Sequence, residues 1–456
     1  MTTSSYQQHP LEQIVQDGLC MGCGFCKASM HMTDSKPKVE MHFDPESDYF
    51  VPKVTNWTAN EEVGDFICPG AQMDMVKLAE QVHGKIPADS ILGTYKELRV
   101  CYSTNEAVRA KAASGGVIPA VLNYLFATGQ IDVAYCVEPG EGSYEAQGRI
   151  IRSTKELDKI HGSVYHPVNF GAELCNLIDG EERFAFVGLP CQIAGLEMLK
   201  AKNPELIKRH VLSIGLFCGG INTFKGIAYY LEGFKVFWSD VNKISYREGP
   251  WPGKIKVNLK STGQDLLIPR IRGNSRWKIL RYVIGFQGYW MLKRCRICPD
   301  QVSDFADIAV GDPHLPKYRA QGGVGFSATV SRTDRGENIL KEMIEAGKLG
   351  AEIVDRDTIV ASQGYTLDNR RHVPAYVKIN QLLGGKSPEL TVYPDIYKTI
   401  SIRHYIYGAV DLMKIALPKN KIIRMFYIPW QIFEYLFITF TPSLIIKRFS
   451  KLLRNQ

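Results

Sequence analysis

Residues 183–196 read Arg183-Phe-Ala-Phe-Val-Gly188-Leu-Pro-Cys191-Gln-Ile-Ala-Gly-Leu196. A short apolar and aromatic run ends at a glycine, meets Pro190 and gives way to helix-forming residues. The pattern predicts a strand, a loop at Leu189-Pro190-Cys191 and a helix from about Gln192. The same unit recurs on both sides. Leu98–Tyr102 reads as a strand, Val117–Thr128 as an apolar helix ending near Gly129, and Ile131–Val137 as the next strand. His210–Phe217 repeats the strand and stops at Cys218, and residues 303–313 give a strand and a turn. Strands alternating with helices predict an α/β body.

Around that body the chain is long and uneven. At 456 residues it exceeds one core, so two to four structural units are expected. Residues 1–17 are polar and expected to be loose. Residues 18–80 are rich in turn residues and poor in periodic hydrophobics, as in a small metal-stapled module. Residues 81–93 read as a linker, and Val236–Lys260 alternates like a β-rich insertion. The formal charge of +8 lies wholly beyond residue 395, where ten Lys/Arg face only Asp411 and Glu434. The body is net neutral, so no nucleic acid is expected as a partner. Eleven cysteines, an odd number in compact spacings, favour metal over disulfides. No basic start leads into an apolar run, so no secretory leader is read and a cytoplasmic location is expected.

The cysteines carry the chemistry. Cys20-Met-Gly-Cys23-Gly-Phe-Cys26 places three thiolates on one tight loop, eased by Gly22 and Gly24. Cys68-Pro69 follows after 41 intervening residues and supplies a fourth. A triple Cys-x-x-Cys-x-x-Cys with a later Cys-Pro is the spacing of a ferredoxin four-iron cluster. Met30 stands where a ligand feeding a second ferredoxin cluster would lie, so this module is expected to hold one. Zinc is the alternative for four thiolates. Cys295-Arg-Ile-Cys298 is a second half-site, and Cys191 and Cys218 each follow a strand. Spacing alone leaves open whether these four share one site. Lys293, Arg294 and Arg296 beside Cys295 either favour the thiolate form or form a solvated basic loop. Cys101, Cys136 and Cys175 read as core residues.

Ala113-Ser114-Gly115-Gly116 precedes the Val117 helix. Such a turn is either a plain helix cap or a cradle for a cofactor pyrophosphate. Clusters deliver single electrons, and a flavin converts them to pairs, so FAD is the candidate. Gly162-Ser163-Val-Tyr165-His166 is either a surface turn or, through Ser163 and Tyr165, part of a flavin or substrate pocket. His161 and His166 are candidate proton donors.

Seven stretches, in order over residues 94–365, carry a family resemblance. They are 113–117, 162–165, 187–196, Gly-Leu-Phe-Cys-Gly-Gly (215–220), Arg-Glu-Gly-Pro-Trp-Pro-Gly-Lys (247–254), 295–299 and Ala-Asp-Ile-Ala-Val-Gly-Asp-Pro-His (306–314). With them the chain resembles the family of coenzyme F-420 hydrogenase/dehydrogenase beta subunits. Its relatives include 7-hydroxymethyl chlorophyll a reductase and a ferredoxin-type divinyl chlorophyllide reductase. Those pigment reductases have different N-terminal cysteine spacings, so their substrates are not carried over.

The resemblance implies one FAD at Ser114, Gly115, Gly116, Gly162, Ser163 and Tyr165. It also implies a second 4Fe-4S cluster on Cys191, Cys218, Cys295 and Cys298. The expected organisation is a ferredoxin-like module with linker (1–93), the flavin-binding N-terminal part of the family body (94–180) and its C-terminal part with the second cluster (181–365). A basic, aromatic helical tail (366–456) completes it. The expected function is an iron–sulfur flavoprotein oxidoreductase. Electrons pass from a ferredoxin-like donor through two 4Fe-4S clusters to FAD, then to an organic substrate or deazaflavin coenzyme. The alternative is an electron-transfer subunit of a larger complex. In the tail, Ile422–Ile446 is apolar and aromatic with flanking Lys/Arg, which suits either a membrane surface or packing on protein.

Overall fold

The computed structural model describes residues 9–33, 38–58, 63–140, 145–160, 162–269, 285–286, 290–319 and 323–416. Strands β1 (Lys38–Asp44) and β2 (Tyr49–Thr55) pair as an antiparallel hairpin. After β3 (Gln72–Asp74) come β4 (Glu97–Ser103), β5 (Val133–Pro139), β6 (Ala146–Ile151), β7 (Phe184–Gly188) and β8 (His210–Leu216). Next, β9 (Val241–Glu248), β10 (Lys254–Leu259) and β11 (Asp265–Pro269) form a three-stranded antiparallel sheet, which is the expected insertion. The chain returns through β12 (Ile308–Gly311), β13 (Ser327–Ser331), β14 (Leu349–Ile353) and β15 (Glu389–Thr391).

Eight of these strands make the main sheet, in the order β14-β4-β13-β12-β8-β7-β5-β6. Strands β5, β7, β8 and β12 run parallel. Strand β4 points the same way, because antiparallel β13 lies between it and β12. The α/β expectation therefore holds, with a mixed sheet. The five co-directional strands release their chain at one edge, where loops converge on ligands in such folds.

Alternation explains why the opening stretch reads as it does. Phe184 and Phe186 enter the core on one face, with Phe25, Met75, Leu78, Leu174 and Ile193. Ala185 and Val187 enter the other, with Val117, Val121, Ile339 and Leu340. All five residues of β7 are buried, so a continuous apolar run replaces an alternating one. The helix that follows begins at Pro190, two residues before the expected point, and Cys191 lies in its first turn.

The cysteine-rich N-terminal segment shares the main core. Phe25 is wholly buried in it, and a Cβ on Gly195 would stand 2.6 Å from the Phe25 ring. Residues Pro10–Gln16, expected to be loose, form a helix. Pro10 starts it, the His9 ring accepts the Leu11 N–H, and Leu11 is buried. At the other end, β15 pairs in parallel with β3, and helices Gly364–Leu382 and Ile402–Ala416 pack together. The tail thus returns to the first module, with a strand as well as helices. His161 and Ile422–Ile446 lie outside the described residues. Among the described residues no helix is long and apolar enough to cross a membrane.

A buried ion pair fastens the sheet to one helical layer. Arg99 of β4 donates twice to Glu337 of helix Asp334–Glu345, at 2.7 Å each, and Ser331 adds a third bond at 2.6 Å. Burial raises the Glu337 pKa, but these bonds outweigh it and hold it at about 2. The folded value lies below the ordinary 4.5, so the contribution is complete above that pH and is lost as pH falls toward 2. Glu337→Gln should cost about 3 kcal/mol at pH 7. Urea melts of wild type and variant should converge on acidification below pH 4; a gap that persists there would contradict this role.

Candidate metal and cofactor site

The first cysteine set is built by backbone geometry. Cys20 and Cys23 precede helix Phe25–Met32, and Cys26 lies in its first turn. Gly22 and Gly24 are left-handed, with φ of 69° and 78°. A Cβ on Gly22 would meet the Phe50 carbonyl oxygen at 2.7 Å, and one on Gly24 would meet Gly171 Cα at 2.5 Å. Both positions therefore require glycine. The Gly22 N–H points at Cys20 Sγ from 3.4 Å. Cys68 arrives on a turn closed by the Ala71 and Gln72 N–H groups on its carbonyl. Burial raises Cys20, and the Cys68 and Cys23 charges raise it further. Cys23 is pushed up to about 12 by burial and by Cys68, and Cys26 feels Cys68, Cys23 and Cys20. The four thiols thus lie close enough to act on one another electrostatically.

Long-range pairing assembles the second set. Cys191 leaves the end of β7 and Cys218 follows the end of β8. The loop after Cys218 zips against residues 290–292: Leu292 N–H donates to Ile221 O and Thr223 N–H to Trp290 O, both at 3.0 Å. This brings Cys295 and Cys298 beside Cys218. Gly220, with φ of 116°, points its N–H at Cys218 Sγ from 3.4 Å, the same arrangement as Gly22 on Cys20. Burial dominates the raised pKa of Cys191, followed by the charges of Cys298, Cys23, Cys218 and Cys295. Cys23 belongs to the first set and shares a core cluster with Ile193 and Ala194 of the Cys191 helix, so the two sets adjoin at Cys23 and Cys191.

This donor chemistry fits iron–sulfur clusters. Cys20, Cys23, Cys26 and Cys191 are buried and Cys68, Cys218, Cys295 and Cys298 part-buried; charges couple them within their sets, and backbone N–H groups favour the thiolate at seven of the eight. A single zinc needs every sulfur about 2.3 Å from one point. Among the described residues, no three His, Cys, Asp or Glu form a group that could hold one ion. Cys101 and Cys136 lie inside β4 and β5, and Cys175 lies part-buried in helix Leu174–Asp179, all apart from these sets.

The glycine-rich turn lies further along the same sheet edge. Gly116 caps the eleven-residue helix Val117–Ala127 in a left-handed conformation. Gly115 is pressed onto the sheet, where a Cβ would stand 2.6 Å from the Cys101 carbonyl oxygen, and its N–H donates to Ser327 Oγ at 3.0 Å. Ser114 donates to the Phe326 carbonyl.

The residue that organises this region is Arg247, which sequence reasoning left as one letter of a motif. It donates to Tyr165 Oη at 3.1 Å, to Asp312 Oδ2 at 2.9 Å and to the Ala113 carbonyl. It therefore ties together the 113–116 turn, the 162–166 loop and the end of β12. Burial works to raise the Asp312 pKa, but Arg247, His314 and Ser114 hold it below the usual range. Among the described residues, Arg247 Nε and Arg109 Nη2 are buried without an acceptor, and Arg109 lies 4.0 Å over the Tyr102 ring and bonds the Gly325 carbonyl. Open cationic donors beside a helix start fit an anionic cofactor group such as a pyrophosphate.

Gly162 is exposed, with open space where a side chain would go, and Ser163 is half-buried. Burial drives the His166 pKa down to about 3, so it is a neutral partner of Tyr246 rather than a cationic proton donor near neutral pH.

A different cavity, of about 320 Å³, opens at the opposite sheet edge, lined by Glu197, Lys200, Asp307 and Arg335 among others. Its carboxylates are already bound, Glu197 by Lys200 and Asp307 by Ser213, Thr333 and Arg335. Arg247→Met should cost about 3 kcal/mol, because the part-buried Asp312 carboxylate loses its guanidinium partner. Combining it with Asp312→Leu should cost less than the sum of the two single changes in urea melts. Additive losses would show that the pair does not act as a unit.

Comparison with known proteins now gives this architecture its lineage. Residues 99–174 match the model of the N-terminal part of the coenzyme F420 hydrogenase/dehydrogenase beta subunit, and residues 181–357 match that of its C terminus. The chain is 25% identical over 268 residues to coenzyme F420 hydrogenase subunit beta of Methanothermobacter thermautotrophicus, spanning 56% of this chain and 84% of that protein. It is 24% identical over 358 residues to a subunit of the F(420)H(2) dehydrogenase of Methanosarcina mazei, spanning 76% and 90%. A chain of the F420-reducing [NiFe] hydrogenase complex from Methanosarcina barkeri shares the fold, with TM-score 0.50 and 18% identity over 67% of this chain and 98% of that one. With both parts of the body matched in order, the chain belongs to the family of coenzyme F420 hydrogenase/dehydrogenase beta subunits.

Proposed function

We propose that the chain is an iron–sulfur flavoprotein oxidoreductase. It moves electrons between a ferredoxin-like donor and an organic substrate or a deazaflavin coenzyme. Cys20, Cys23, Cys26 and Cys68 hold one four-iron cluster, and Cys191, Cys218, Cys295 and Cys298 hold the other. Ser114, Gly115, Gly116 and Tyr165 contact FAD, with Gly162 and Ser163 on the adjoining loop. When bound, the clusters carry single electrons and the flavin combines them into pairs.

The observation that supports this reading is the row of groups along one sheet edge. Cys23 adjoins Cys191. Cys191 follows β7, Cys218 follows β8, and Asp312, which grips Arg247, follows β12. Neighbouring strands lie roughly 5 Å apart, so these groups stand in sequence over a short distance. Arg247 orients the turn and Tyr165, and buried backbone N–H groups stabilise the thiolates. A second reading, a subunit passing electrons within a larger complex, is supported by both named relatives being oxidoreductase subunits.

Anaerobic purification should yield about eight iron and eight sulfide per chain, with a flavin spectrum. Cys298→Ser should lower iron by about half, as expected when each set holds four irons. Unchanged iron would remove Cys298 from the ligand set, and zinc without flavin would overturn the proposal. Turnover of a candidate substrate by the purified chain with reduced ferredoxin favours the enzyme; electron acceptance without turnover favours the complex subunit. We also propose that the basic, aromatic tail meets the cytoplasmic membrane surface. Truncation after Ala416, which keeps the buried Ile396, should then deplete the protein from the membrane fraction. Unchanged recovery there would contradict that contact.

A further inference from the structure

Among the described residues, three arginines are wholly buried: Arg294, Arg332 and Arg370. Two have carboxylate partners. Arg370 bonds Asp304 at 2.6 Å, and Arg332 lies 3.7 Å from the same carboxylate. Arg294 differs. Its donors go to backbone carbonyls, Nε to Gly70 O at 2.7 Å, Nη2 to Pro69 O at 3.1 Å and Nη1 to Ile297 O at 2.9 Å. No carboxylate among the described residues pairs with it. A fully buried cation without an anion is costly to hold.

Its position identifies the missing anions. Pro69 and Gly70 follow Cys68 of the first set, while Ile297 lies between Cys295 and Cys298 of the second. The guanidinium thus spans the gap between the two cysteine loops. A cluster on four thiolates carries net negative charge, and that charge together with its surroundings sets the reduction potential.

We propose that Arg294 is the shared counter-cation of the two cluster sites, holding both loops in register and raising the reduction potentials of both clusters together. The inference rests on the two-cluster reading above. Arg294 is a positioning residue in this scheme, acting through its guanidinium charge and its three carbonyl bonds. Neighbouring Lys293 provides a control, since its ammonium turns away to the carbonyls of Asp17 and Lys386.

The test is an anaerobic redox titration of the full chain, followed by electron paramagnetic resonance, with iron counted first. Wild type lacking iron in either set would sink the two-cluster reading itself. With iron present, Arg294→Gln should shift both midpoints to more negative values. Arg294→Lys should restore both toward wild type, and Lys293→Gln should leave them unchanged. If Arg294→Gln cannot retain iron, the inference requires loss from both sets and retention in Arg294→Lys. A shift or loss confined to one set, unchanged potentials in a loaded Arg294→Gln, or equal iron loss in the Gln and Lys variants would each overturn it.

Discussion

Everything around the cysteines depends on buried guanidinium groups that clamp backbone. Arg294 joins the Cys68 turn to the Cys295–Cys298 loop through three carbonyls. Immediately downstream, Arg370 takes the Pro299 and Ile91 carbonyls, and Arg332 takes those of Leu92, Thr94 and Val302. Asp304 pairs with both guanidinium groups, and Asp300 turns the chain by accepting the Val302 and Asp304 N–H groups. A loop of this kind has no ladder to satisfy its carbonyls. Planar, charged donors supply several bonds each, so the loop is fixed beyond the single helical turn Lys293–Arg296. Arg370 comes from beyond residue 365, which gives the C-terminal helices a share in placing Cys298.

The sheet does the rest of the positioning. Five strands pointing one way release their loops at one edge, and each loop delivers one component. The 113–116 turn packs on β4 and β13, Asp312 leaves β12, Cys218 leaves β8 and Cys191 leaves β7. Arg247 reaches the same edge from the three-stranded insertion, so that insertion closes the glycine-rich side and is not a detached appendage. The first cysteine set approaches from the side and is seated by Phe25 against Gly195 in the very helix that carries Cys191.

What the sequence showed, it showed through local spacing. Cys20, Cys23 and Cys26 share one loop, so their pattern survives without tertiary information, and the β7 run is legible because burial on both faces leaves no polar alternation. The scattered cysteines are another matter. Cys191 and Cys298 are brought together by sheet order and by the zipper at 290–292, neither of which has a local signature. Arg294 sits in Lys-Arg-Cys-Arg, a stretch that reads equally well as a solvated basic loop; only burial reveals it. Arg247 and Asp312 stand within the quoted motifs, yet their pairing spans 65 residues. Phe25 was obscured for the opposite reason: turn-rich neighbours mask a residue that belongs to the largest core. The Pro10–Gln16 helix was missed because a polar start dilutes its apolar face, although Pro10 followed by an acidic first turn was an available signal.

The central claim is that two cluster sites adjoin through Cys23 and Cys191 rather than standing apart in separate modules. Electron paramagnetic resonance of the fully reduced, fully loaded protein tests it most directly. Adjacent reduced clusters interact through their spins, so the account predicts a broadened, split spectrum that collapses to a simple signal when only one cluster is reduced. A fully reduced spectrum equal to the sum of two independent signals would contradict it.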